Sequence, residues 1–137
     1  MWMQRTALAA VGVIGVGIIA IGVRFLLDPA GAGAAFGVVP AGDDPFLAVK
    51  GVRDIGSGLI LLTLLALRLP RVLGWVTLAA SFIPLGDALI VLANGGPAAV
   101  AYGVHGATAG VAIAAAAVLI SERAARPAPR GSAVPAH

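Results

Sequence analysis

Four mainly apolar stretches follow one another along this chain, at about 6–27, 46–67, 72–93 and 98–120. Each is long enough to cross a bilayer, because a helix rising 1.5 Å per residue needs roughly 20 apolar residues to span a ~30 Å hydrocarbon core. Between them stand strong breakers: Asp28-Pro29 with a Gly/Ala-rich loop, Arg68-Leu69-Pro70-Arg71, and Asn94-Gly95-Gly96-Pro97. Hydrophobic residues make up 60% of the 137 and charged residues 11%, too apolar a chain for one small globule to hide from water. The reading is an all-α, four-helix transmembrane bundle over 1–121, followed by a disordered cytoplasmic tail at 122–137.

A cleaved signal peptide is the rival reading of the first stretch, since Arg5 precedes it and Ala30-Gly31-Ala32 follows. The stretch exceeds the ~7–15 residues of a signal core, and Arg24 lies inside its far end.

Orientation follows from the arginines, which are enriched in cytoplasmic loops close to the spans. Four spans put both termini and the middle loop on one side, which then collects Arg5, Arg68, Arg71, Arg123, Arg126 and Arg130. The opposite loops carry Asp28, Asp43 and Asp44 and no Lys or Arg. Both termini are therefore expected in the cytoplasm, in a multi-pass protein of the cell membrane. The tail is rich in Pro and Ala and lacks apolar periodicity.

The net charge of +3 is explained by this asymmetry. No basic stripe interleaves with aromatics, which argues against nucleic acid as a partner. The absence of cysteine excludes disulfides, thiolate metal sites and a cysteine nucleophile. No cofactor fingerprint is present, and Lys50 and Arg53 would repel a metal cation from the nearby carboxylates. Gly12, Gly15 and Gly22 in the first stretch, and Gly106, Gly110 and Ala114 in the fourth, mark close helix contacts. They serve as inward seams of the bundle or as a dimerisation face.

The chemistry-bearing residues lie inside the spans. Lys50, Arg53, Asp54 and Ser57 are spaced i, i+3, i+4 and i+7, so they share one helix face, which must turn away from lipid. Counted from the outer boundary, Asp54, Asp87 and His105 fall at one depth, with Arg24 and Lys50 slightly above them. Pro84, with Gly86 beside it, removes a donor and frees the Ala80 carbonyl, which predicts a kink just before Asp87.

These residues also carry a resemblance. Lys50-Gly51-Val52-Arg53-Asp54-Ile55-Gly56-Ser57-Gly58, Ile83-Pro84-Leu85-Gly86-Asp87-Ala88 and Gly103-Val104-His105-Gly106-Ala107-Thr108 resemble the family called domain of unknown function 4267. The likeness covers nearly the whole chain except the tail. It implies a small multi-span membrane protein and brings no activity, substrate or cofactor. A looser likeness to the DoxX group of four-span proteins is one of architecture alone.

The expected function is a buried polar site toward the outer half of the bilayer that binds or transforms a small lipophilic molecule. In a reaction, Asp54 or Asp87 would act as general acid with His105 as proton partner, while Lys50, Arg53 or Arg24 would hold an anionic group or the counter-charge, with Ser57 beside them. The alternatives are a proton-coupled transporter or accessory subunit, or a purely structural membrane protein. Four spans without an inverted repeat would need further copies, or a larger membrane partner, to build a translocation path.

Overall fold

The computed structural model describes residues 1–38 and 45–121, so the acidic pair Asp43-Asp44 and the tail expected to be disordered lie outside the described residues. Within these limits the chain is all helical, without strands. Its elements are α1 (Trp2–Leu27), α2 (Pro29–Phe36), α3 (Pro45–Ala66), α4 (Pro70–Ala80), α5 (Phe82–Ala93) and α6 (Ala98–Val100), then a π-helical segment (Ala101–Gly106) and α7 (Ala107–Ser121).

Three helical stretches are long and apolar enough to cross a membrane: Trp2–Leu27, Pro70–Ala93 with its interruption at Ser81, and Ala98–Ser121. α3 is also long, at 22 residues, but it carries Lys50, Arg53 and Asp54 within its length. Large apolar side chains such as Val13, Leu59, Leu89 and Val111 point outward from these helices.

α1 and α3 run antiparallel and make the most extensive contact among the described residues. Glycine permits it at two levels, one heptad apart on each helix. A Cβ on Gly22 would stand 2.6 Å from the Gly51 carbonyl oxygen, and one on Gly58 would stand 2.5 Å from that of Gly15. The expected seam on α1 is thus directed at α3. The expected seam on the fourth stretch is corrected: Gly110 and Ala114 are exposed, and the buried face is Ala109, Ala112, Ala116 and Leu119. Alanine packs that face against α4, where Gly74 lies under Ala116 and Leu119.

The Gly/Ala-rich loop expected after the first stretch is also corrected, because residues 29–36 form α2. Local chemistry builds this short helix. The Asp28 carboxylate accepts from the Gly31 N–H at 2.9 Å, Pro29 occupies the first turn, and Gly37 ends the helix at φ 100°.

The third stretch is interrupted at Ser81, three residues before Pro84. Proline at the third position of α5 cannot donate to Ala80, so α4 closes through the Ser81 N–H to the Thr77 and Leu78 carbonyls. One apolar cluster, with Val11, Leu61, Leu73 and Leu119, fills the end that carries Arg5, Arg68 and Arg71. A second, Ala88, Val91 and Ala101, fills the opposite end beneath Phe36. The polar residues lie between the two.

Candidate functional site

Lys50 and Asp54 face each other across one turn of α3, with Nζ to Oδ2 at 2.5 Å. Arg53 adds a longer contact, its Nη2 lying 3.2 Å from Asp54 Oδ1. Both cations also reach across to Asp87 on α5, each at 3.7 Å. Two cations and two carboxylates thus form one cluster, with Asp54 held tightly and Asp87 loosely. Asp54 is 5% exposed, and Lys50 is largely covered by rings: its ammonium lies 4.5 Å from the centre of Phe36 and 4.9 Å from that of Phe25. Desolvation of this kind is tolerated because every charge has a partner.

His105 approaches from the π-helical segment and is buried. Its Nε2 lies 3.1 Å from the Phe36 carbonyl oxygen, and since a carbonyl only accepts, Nε2 carries the proton. The ring also packs against Phe36 at 4.4 Å between centroids. One extra residue in the turn, as a π-helix provides, rotates the side chains that follow and aims His105 at α2 and the cluster.

A cavity of about 100 Å³ lies where these groups meet. Lys50, Asp54, Ser57, Asp87 and His105 all line it, and Ile18, Ile21, Ile83 and Val104 supply apolar wall. Pro84 and Ala80 form its edge, which places the break in the third stretch at the cavity. Ser57 Oγ donates to the Arg53 carbonyl at 2.8 Å, a bond within its own helix. Arg24 stands apart. It is exposed, donates to the Gly31 carbonyl at 3.4 Å and lines a neighbouring cavity of about 130 Å³. Among the described residues no three His, Cys, Asp or Glu side chains gather as a metal site.

The family described as Domain of unknown function (DUF4267) matches residues 15–119. The chain belongs to this family. The DUF4267 region contains both glycine levels of the α1/α3 contact and every ionisable residue of the cluster. No curated protein and no solved structure matches the chain.

Sequence reasoning missed Phe25, Phe36 and the π-helical turn. Phe36, a lone aromatic within a Gly/Ala run that α2 presents to the cluster, was the signal available. Nothing in Ala101–Gly106 announces a π-helix.

Proposed function

We propose that this DUF4267 protein crosses the cell membrane four times, with both termini in the cytoplasm, and binds the polar end of a small lipophilic molecule in the cavity between α1, α3, α5 and the π-helical segment. The observation that carries the reading is the convergence of Lys50, Asp54, Asp87 and His105 on one cavity whose remaining walls are apolar. Ligand sites are typically built this way, mostly apolar with a few convergent polar groups.

A fourth span at α3 is supported by the direction of its charges, which pair inside while Val49, Val52, Leu59 and Ile60 face outward. Orientation is supported by Arg5, Arg68 and Arg71 at one end of the molecule and Asp28 at the other. Cysteine substitution in this cysteine-free chain tests it: Asn94→Cys should react with an impermeant thiol reagent from outside intact cells, and Leu69→Cys only after permeabilisation. Reaction of both from one side contradicts the four-span topology.

The cavity is smaller than the roughly 300–1,000 Å³ of a pocket that encloses a whole ligand, so it suits one end of a longer molecule. In a reaction Asp87, held only at 3.7 Å by each cation, is the carboxylate free to exchange a proton with the ligand. The test is purification of the full chain in mild detergent and mass spectrometry of what accompanies it. A lipophilic molecule should accompany the native protein and be lost from Ala80→Leu, which fills the cavity without touching a charge. The same molecules in equal amounts from both proteins would sink the reading.

A further inference from the structure

The polar cavity is one link in a chain of spaces along the seam between α1 and the stretch Ala98–Ser121. Next to the cavity of about 130 Å³ at Arg24 and Phe25 comes the polar cavity itself, sharing Ile21 and Val104 with it. A space of about 350 Å³ follows, sharing Val104 and Thr108 with the polar cavity and bounded by Ile14, Gly103 and Ala107. The last, about 330 Å³, shares Val111 with its neighbour and runs past Ala10 and Ala114 to Trp2. The four follow one another along one face as a shallow groove, the two larger spaces lying open at the surface. Its cause is the small side chains on this face, Gly103, Ala107 and Ala114: a Cβ on Gly103 would meet nothing within 4 Å, whereas Gly15, Gly22, Gly51 and Gly58 at the α1/α3 contact are closed by opposing backbone. From Ile21 to Met3 the groove follows α1 for about 27 Å, most of a bilayer's ~30 Å hydrocarbon thickness.

Charge decides what can enter the polar end. Within the polar cavity Lys50 and Arg53 balance Asp54 and Asp87, and Arg24 of the adjoining space donates to the Gly31 carbonyl, so an ionised headgroup in the polar cavity would find no unpaired counter-charge there and would lose several kcal/mol to dehydration. An alcohol or ketone loses little by comparison, because the carboxylates, the ammonium and the imidazole offer hydrogen bonds of either sense.

We infer that the ligand is a single-chain lipid with an uncharged hydrogen-bonding end, a long-chain alcohol or ketone, whose end enters the cavity of Asp87 and His105 and whose chain lies in the groove between α1 and α7. This rests on the reading of the cavity proposed above and adds the ligand's class and pose. It differs from the expectation that Lys50, Arg53 or Arg24 holds an anionic group, and the charged analogues below decide between the two.

The test uses the full chain in dodecyl maltoside, with thermal unfolding followed against hexadecanol, hexadecanoate and hexadecylammonium at equal mole fractions in the detergent. Hexadecanol should raise Tm, with an apparent affinity at least about tenfold above either charged analogue, since each tenfold corresponds to about 1.4 kcal/mol. Ala10→Leu and Ala114→Leu fill the far part of the groove, away from the charges. They should lower the affinity for hexadecanol by about tenfold and leave that for octanol, which is too short to reach them, unchanged. Equal stabilisation by all three amphiphiles, the behaviour of bulk lipid in a crevice, overturns the inference while leaving the cavity reading in place. Tighter binding of hexadecanoate does the same and redirects the headgroup to Arg24. Failure of hexadecanol and octanol alike overturns both.

Discussion

Asp54→Asn should lower the folded yield of the protein sharply, and Asp54→Asn combined with Lys50→Met should recover most of it. The single change leaves Lys50 and Arg53 facing one carboxylate, Asp87, which neither approaches closer than 3.7 Å. Breaking a buried pair by removing one partner typically costs about 3–5 kcal/mol, a large part of the 5–15 kcal/mol that holds a typical domain together. Removing both members of the 2.5 Å pair leaves Arg53 and Asp87 balanced and replaces an ammonium under two aromatic rings with an apolar chain of similar length. Arg53→Gln should rescue less, because its side chain is 45% exposed and its contact with Asp54 is correspondingly screened. Arg24→Gln should rescue nothing, since Arg24 touches neither carboxylate. Fluorescence-detected size exclusion of the series in detergent gives the yields. Equal yields for the single and the Lys50 double variant would mean that the pair does not stabilise the fold.

The second large effect belongs to the α1/α3 contact. Gly58→Leu should prevent folding, because its Cβ alone would stand 2.5 Å from both the Gly15 carbonyl oxygen and Ile19 Cγ1, and the opposing helix would have to withdraw along its whole length. In a bilayer, which offers no hydrophobic push to compensate, association of these helices would depend on that approach. Gly22→Val should behave in the same way, against the Gly51 carbonyl and Ile55. Gly17→Leu, on the outer face of α1 with nothing within 4 Å, should fold normally. Thermal unfolding in detergent should separate the two groups by well over 1 kcal/mol, the scale of ordinary overpacking. Equal stability of Gly17→Leu and Gly58→Leu would contradict the described interface.

Much of this architecture is written in hydropathy and breakers, because lipid imposes a fixed length on a span and admits charge only where it is paired. The spacing of Lys50, Arg53, Asp54 and Ser57 places them on one face from sequence alone. The approach of Asp87 and His105 to that face follows from counting depth along antiparallel helices. Other features depend on interactions that periodicity does not carry. α2 is too short and too rich in Gly for an apolar pattern, and forms through the Asp28 cap, although the order Asp-Pro at its start and Gly at its end was there to be read. The third stretch breaks at Ser81 rather than beside Asp87, because proline disturbs the turn before it. On Ala98–Ser121 the seam is read wrongly from glycine spacing, since alanine is small enough to pack that face and leaves the glycines free. The rings over Lys50 come from α1 and α2, and only the assembled fold brings them there.

Histidine offers the most direct test of the central claim, that one cavity bounded by Asp54, Asp87 and His105 receives the polar end of a lipid. The chain has two histidines, His105 in the cavity and His137 at the end of the sequence, so selective ¹⁵N labelling yields a probe and its own control. Addition of hexadecanol to the protein in detergent should shift the imidazole resonances of His105 and leave those of His137 where they were, and Ala80→Leu should abolish the response. An unmoved His105 signal, or equal shifts at both histidines, would contradict it.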